Sequence, residues 1–316
     1  MKSSKEIQHC PVCSLNLADT AGKNIPYPRE GSSKTGIEPE FIIFCENCGA
    51  GIATPVCSDE QLDKYYSDGS YWKKQKVEIL SARKYPVPYA LAESRWKLLE
   101  PLLSKTVKRV SILDIGAGHG FYGMMAAGSH EVHLKKYTCV EKDKALVESL
   151  KKTWSIYFKQ YTLETVGSID SVAGDYDVAV LSHLLEHQAE PRAFLLSVLA
   201  KVKRGGFIFI DVPNQDYLFK QDVFPHLIFF NMSNLQLLMQ HCGLTTKFIS
   251  CYGNDIKTSI LNYRNAANWR RLLARLIMKT KPLLPERIVV KYFTELFDME
   301  KQNRNGIWIR AIGQYN

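Results

Sequence analysis

Val110-Ser111-Ile112-Leu113-Asp114-Ile115-Gly116-Ala117-Gly118-His119-Gly120 is the stretch that decides the fold. A β-branched apolar run ends in an acid, three alternate glycines follow, and the chain from Phe121 reads as a helix. Glycine suits a backbone that turns sharply and must approach a ligand with no Cβ in the way. Twenty-one residues after Gly120, the next apolar run ends in Val140-Glu141. An acid there is placed to accept hydrogen bonds from both ribose hydroxyls of a bound nucleoside. The dinucleotide fingerprint G-x-G-x-x-G would put its third glycine at position 121, which is Phe121 here. Asp114, two residues before the loop, would repel a pyrophosphate and would hold an amino group instead.

Outward from this turn, VSILDI, YTCVE, YDVAVLS and FIFIDV are apolar runs suited to strands buried on both faces. Helical stretches at 121–128, 144–153 and 191–202 separate them. This alternation marks an α/β fold with a doubly wound parallel sheet. A further helix is expected from Ser233, with Gln236 in capping-box position, to Gly243. Two more strands are expected at 245–252 and 307–312, with two inserted helices between them. Residues 58–105 read as helices, opened by a Ser58–Gln61 capping box and carrying Leu91, Leu98, Leu99, Leu102 and Leu103 at helical spacing. The expected organisation is a cysteine-bearing ribbon at 1–57, a helical linker or lid at 58–105, and the main domain at 106–316 with a helical insertion at about 255–305.

Composition excludes several classes. A chain of 316 residues with 46% hydrophobic and 23% charged content is ordinary for a globular protein. No run approaches the ~18 apolar residues of a membrane span, and the first twenty residues lack a secretory signal, so a cytoplasmic protein is expected. The net charge of +9 is concentrated between Arg264 and Arg304, where ten Lys or Arg face four Asp or Glu. A polyanion or membrane-surface partner is therefore expected at these basic helices.

Four of the eight cysteines form two Cys-x-x-Cys pairs, Cys10/Cys13 and Cys45/Cys48. In a reducing compartment such pairs hold metal more often than disulfides. Four thiolates close a tetrahedral Zn2+ site, as a structural ion requires. A redox role is the competing reading, but no thioredoxin-like strand pattern follows the pairs.

ILDIGAGHG, CVEKD, YDVAVLSHLLEH and GGFIFIDVPN, in that order over about residues 109–252, resemble the motif set of class I S-adenosylmethionine-dependent methyltransferases. The resemblance implies a Rossmann-like sheet of seven strands whose last strand, supplied by IWIRAI, is antiparallel. It also implies S-adenosyl-L-methionine as cofactor, with Asp114, Gly116, Gly118 and Gly120 at its methionine part and Glu141 at its ribose. Ser182 and His183 would flank the methyl group and Asp170 would meet the adenine, although Ser168 breaks the family's usual Gly-Asp pair. The cysteine ribbon followed by Tyr65, Tyr66, Tyr71 and Trp72 is similar to the zinc-containing C-methyltransferases of deoxysugar pathways. Those enzymes carry a further C-terminal α/β domain that is not met up to Asn316. The resemblance implies a small-molecule or glycan acceptor: a sugar, nucleotide sugar or surface-glycan precursor, methylated on oxygen or carbon.

His183-Leu184-Leu185-Glu186-His187 also matches an inverted metalloprotease motif. That reading needs both histidines on one helix, yet the motif directly follows a strand and Pro191 arrives four residues after His187. His187 is then a capping or supporting residue ahead of a catalytic one. The segment Phe224-Pro225-His226 through Ser233 resembles a family motif that places His226 beyond the fifth strand. There it would take a proton as the methyl arrives; a buried histidine satisfying a backbone group is the alternative. An RNA methyltransferase is a second reading, supported by the basic excess and the ribbon but lacking the Asn/Asp-Pro-Pro-Tyr/Phe pattern around a flipped base. A non-catalytic binding protein is a third, opposed by the intact glycine loop and Glu141.

Overall fold

The computed structural model describes residues 8–17, 24–30, 39–57, 62, 76–264 and 269–316, without the side chains of 261–272. The Ser58–Gln61 capping box and Tyr65, Tyr66, Tyr71 and Trp72 lie outside the described residues. Five parallel strands make up most of the main sheet: β4 (Val110–Ile115), β5 (Leu134–Val140), β6 (Thr162–Val166), β7 (Tyr176–Ser182) and β8 (Val202–Pro213). They are joined by β10 (Leu244–Asp255) and β11 (Gly306–Tyr315) in the order β10-β11-β8-β7-β4-β5-β6. β11 runs antiparallel to both β8 and β10. This is the seven-stranded Rossmann-like sheet with its antiparallel last strand.

The central strands are apolar throughout because both faces are covered. Leu113, Ile115, Ala179, Leu181, Ile208 and Ile210 pack into one core, while Ile112, Val178, Val180, Phe207 and Phe209 pack into the other. Each such side chain contributes about 1.5–3 kcal/mol on burial. α1 (Pro86–Thr106) closes the second core through Trp96, Leu99 and Leu103. α2 (Phe121–Gly128) and α3 (Lys144–Tyr157) lie on the same side, contributing Phe121, Leu150 and Trp154. α4 (Pro191–Leu199) and α5 (Met232–His241) cover the first core. β6 is a half-exposed edge strand, so its sequence Thr-Leu-Glu-Thr-Val lacks the apolar run that marks the others.

Several expectations shift: residues 76–85 are not helical and the helix begins at Pro86, the insertion holds three helices rather than two, the helix expected at 144–153 runs to Tyr157, and the last two strands span Leu244–Asp255 and Gly306–Tyr315. Two further boundaries have a visible cause. α5 is capped by Asn231 rather than Ser233, through a reciprocal pair in which Asn234 N donates to Asn231 Oδ1 (3.0 Å) and Asn231 N donates to Asn234 Oδ1 (2.9 Å). α4 stops at Leu199 rather than 202, because Val202 already pairs with Tyr176 as β8 begins. Between β10 and β11 the chain forms α6 (Ile256–Arg264), α7 (Trp269–Thr280) and α8 (Glu286–Leu296). Val289, Val290 and Phe293 of α8 pack on Ala90 of α1.

The cysteine ribbon does not stand apart. β1 (Asn24–Pro26), β2 (Phe41–Phe44) and β3 (Gly51–Thr54) form an antiparallel sheet that continues into β9 (Ile228–Phe229) of the main domain. Ile42, Ile52, Phe229 and Leu235 share one core with the sheet's own Leu181 and Ile210. A backbone ladder therefore crosses the boundary at residue 57.

Candidate active site

The sheet's order reverses at β4, whose neighbours are β5 on one side and β7 on the other. Open α/β sheets bind ligands at such a switch point, beyond the carboxyl ends of the strands. Asp114, the glycine loop, Glu141, Ser182 and His183 all come together there, at the ends of β4, β5 and β7.

Gly118 has φ of +54°, and a Cβ added to it would meet nothing within 4 Å, so the crest of the loop faces open space. At Gly120 (φ +66°) a Cβ would lie 2.7 Å from Leu150, which explains the glycine by packing instead. Glu141 is held from both sides: Gly118 N donates to Oε2 at 2.8 Å and Asp143 N to Oε1 at 2.9 Å. A carboxylate offers about four acceptor sites, so two backbone donors orient it and leave capacity for a diol. Asp114 is buried and accepts from Tyr137 Oη at 2.6 Å. Burial raises its carboxyl to about 7 despite the Tyr137 bond. A cation at this position would restore its charge.

Beside it, Asp211 at the end of β8 is fully buried between two arginines. Arg95 Nε lies 2.6 Å and Arg310 Nε 3.2 Å from Asp211 Oδ2, and Arg310 Nη2 donates to Ser94 Oγ at 3.0 Å. Burial alone would raise Asp211, but the two guanidinium groups hold it below the ordinary range. Ser182 Oγ, Tyr122 Oη, Arg95 Nη2 and Asp211 Oδ1 are buried with no hydrogen-bond partner among the described residues. Buried polar atoms are rarely left so. Together with the open loop crest they fit a polar cofactor with amino, carboxylate and ribose groups. Asp170 sits in the exposed turn after β6, where Ser168 Oγ donates to it at 3.1 Å.

A second buried cluster, around His187 and His226, is assembled from distant segments. His183 has φ of +50° and Leu185–His187 form one short 3-10 turn, so the His-x-x-Glu-His stretch is no helix and cannot present the protease pair. His187 and His226 meet edge to face with ring centroids 4.8 Å apart. His226 Nδ1 lies 3.0 Å from Asp216 Oδ2, and Lys220 Nζ lies 2.8 Å from the same oxygen. Burial would raise Asp216, but His226 and Lys220 keep it ionised well below the carboxylate range. Burial lowers His187 to about 4, so it is neutral at pH 7. Tyr27 of the ribbon donates to the His226 carbonyl at 2.9 Å, and Leu227 N donates to the Glu186 carbonyl at 2.7 Å.

The four ribbon cysteines converge as the spacing implies, with Cys10–Cys48 sulfurs 3.6 Å apart and Cys13–Cys45 sulfurs 3.5 Å apart. A tetrahedral ion at ~2.3 Å from each sulfur needs S···S edges of about 3.8 Å. The donor set therefore fits Zn2+.

Residues 47–276 match the family model described as a methyltransferase domain. The chain belongs to the methyltransferase domain family. S-adenosylmethionine, the cofactor the motifs imply, fits the loop, Asp114 and Glu141 described above. The ubiquinone biosynthesis O-methyltransferase of Marinobacter nauticus is 26% identical over 106 residues, 33% of this chain and 44% of that protein. The methyltransferase thus spans less than half of that curated relative. Among solved structures, an S-adenosylmethionine-dependent methyltransferase from Archaeoglobus fulgidus is 15% identical, with a TM-score of 0.44 over 79% of this chain and 99% of its own. Another from Clostridium acetobutylicum is 9% identical, with a TM-score of 0.45 over 71% of this chain and 91% of its own.

Sequence reasoning passed over Asp211, Arg95, Arg310, Asp216 and Tyr137. Asp211 and Arg310 did leave a signal: each is a single charge in an otherwise apolar strand, FIFIDV and IWIRAI. A charge in a doubly covered strand must be paired. Asp216 and Tyr137 carried no such mark.

Proposed function

We propose that this methyltransferase acts on a small-molecule or glycan acceptor held between His183 and His226, with Zn2+ on Cys10, Cys13, Cys45 and Cys48 as a structural ion. The observation that carries this reading is His226, buried and backed by the ionised Asp216 at 3.0 Å. When bound, S-adenosylmethionine supplies an electrophilic methyl group. The chain's residues then have two tasks, aligning the acceptor with that carbon and receiving one proton. Asp216, 3.0 Å from Nδ1 of His226, places a negative charge beside the ring that takes the acceptor's proton. His187, kept neutral by burial, supports the His226 ring from the side. The ribbon forms a wall of this end through Tyr27 and β3, which favours a compact acceptor over a nucleic-acid strand. The relative named for ubiquinone biosynthesis is consistent with a small-molecule acceptor.

The test is incubation of the purified protein with labelled methyl donor and separated metabolite, glycan and RNA fractions. Label in a small-molecule or glycan fraction supports the reading; label confined to RNA sinks it.

The insertion supports a membrane-surface contact for a lipid-linked acceptor. Leu276, Leu283 and Ile288 are exposed, Leu283 by 85%, beside Arg275, Lys279 and Arg287. Sedimentation with anionic but not zwitterionic vesicles, reduced in Leu283→Asp, checks it; binding to neither kind of vesicle removes it.

A further inference from the structure

We propose that Tyr27 is a positioning residue through which an ion on the cysteine quartet fixes the place of His226. This rests on the quartet as a structural Zn2+ site and on the His226 pocket as the acceptor site. Acceptor binding then depends on a metal that touches no substrate.

The connection runs bond by bond from the sulfurs to the imidazole. Cys45 and Cys48 sit in the turn between β2 and β3, where Gly49 N donates to the Cys45 carbonyl at 2.8 Å and Cys45 N to the Ala50 carbonyl at 3.0 Å. β2 pairs with β1, and Tyr27, directly after β1, donates its N–H to the Glu40 carbonyl at 2.9 Å. Three bonds then join the ribbon to residues 223–227. Tyr27 Oη donates to the His226 carbonyl at 2.9 Å, Ala53 N to the Leu227 carbonyl at 2.8 Å, and Val223 N to the Pro28 carbonyl at 3.2 Å. The turn that carries Asp216 leans on the same module, since the Tyr217 ring lies 5.4 Å from Phe44.

Of the three bonds, only that of Tyr27 comes from a side chain. Its ring is buried and meets Phe229 edge to face at 6.1 Å. Burial pushes the phenol far above its ordinary range, so the hydroxyl stays a donor. A shift of β1 and β2 would leave the buried His226 carbonyl unpaired, which is costly enough for the His226 backbone to follow. Small metal modules take much of their order from the ion. Here Ile42 and Ile52 share a core with the main sheet, so loss of the ion loosens the ribbon without unfolding the chain. The cofactor end is insulated, because Asp114 accepts from Tyr137, and Glu141 from Gly118 and Asp143, all outside the ribbon.

The experiment strips zinc with a chelator from full-length protein carrying nitrogen-labelled histidine, the His226 ring signals being assigned through His226→Ala. Zinc removal should shift those signals and speed amide exchange over residues 223–230 by ~10-fold or more. S-adenosylmethionine affinity should stay nearly constant, and added Zn2+ should restore the rest. Tyr27→Phe keeps the ring and removes the donor. Its zinc content should equal the wild type's, yet its His226 signals should already stand near their zinc-free positions. Signals and exchange unmoved by zinc removal overturn the coupling, and Tyr27→Phe signals that match the loaded wild type remove Tyr27 as the link. Failure of the underlying readings shows elsewhere. A chain that takes up no zinc removes the quartet as its site, and unchanged methyl transfer to the metabolite fraction in His226→Ala removes the pocket; either takes the coupling with it.

Discussion

The proposed cofactor end and the proposed acceptor end of this molecule are built from different kinds of information. At the cofactor end, Asp114, Gly116, Gly118 and Gly120 lie within seven consecutive residues, and Glu141 directly follows the adjacent strand. Strand, turn and helix follow one another there, so local sequence dictates local geometry. At the acceptor end, Glu186, Asp216, His226 and Tyr27 converge from four separate segments, and one of them belongs to the cysteine ribbon. Nothing in their spacing announces the meeting. The difference teaches that in this chain the expected cofactor residues are written contiguously, whereas the proposed acceptor residues meet only through tertiary contacts.

The sharpest way to break the comparison is at His226. His226→Ala should lower turnover by ~10²–10⁴ while S-adenosylmethionine affinity stays nearly constant. Steady-state kinetics beside calorimetry would read both, and a parallel loss of cofactor affinity would show that the two ends are not separable.

Between the ends lies Asp211 with its two arginines. Arg310→Met removes one partner of a buried charge cluster and should cost about 3–5 kcal/mol of unfolding free energy. Denaturant titration checks this, and a change below 1 kcal/mol would mean that Arg95 alone satisfies Asp211.

At the cofactor end, Glu141→Ala should weaken S-adenosylmethionine binding by about 1–3 kcal/mol, since it removes charge-assisted bonds to the ribose. Acceptor turnover at saturating cofactor should change far less. An equal fall in both would blur the division drawn here.

The smallest effect is one of pH. Asp114 is raised to about 7 in the folded chain, against an ordinary ~3.9 when unfolded. The folded form holds this proton more tightly, so the free protein loses stability as pH rises between those two values. A ligand ammonium prefers the carboxylate, so binding should release a proton and tighten from pH 6 to 8, by at most tenfold per unit. Calorimetry in buffers of different ionisation enthalpy reads that proton. Its persistence in Asp114→Asn would assign it to another group.

These contrasts also explain what was legible. Buried parallel strands such as VSILDI and YDVAVLS announce themselves because both faces must be apolar. β6 did not, because an edge strand with one wet face tolerates Thr and Glu. The start of α5 was misjudged by two residues, since Asn231 and Asn234 satisfy each other's backbone as well as Ser and Gln would. The convergence of the cysteine quartet was readable because two short Cys-x-x-Cys spacings each bring a pair of sulfurs together. Asp216 was not, because its value comes only from standing beside His226, ten residues on.

The pairing of β3 with β9 has a practical side. A chain shortened to begin near residue 76 would leave Ile228 and Phe229 as an open strand edge beside the apolar surface that Ile42 and Ile52 now cover. Bare edges of that kind recruit other chains. Such a fragment, though it would keep every element of the seven-stranded sheet, should form aggregates on expression. The ribbon thus acts as a built-in solubility partner for the fold it precedes.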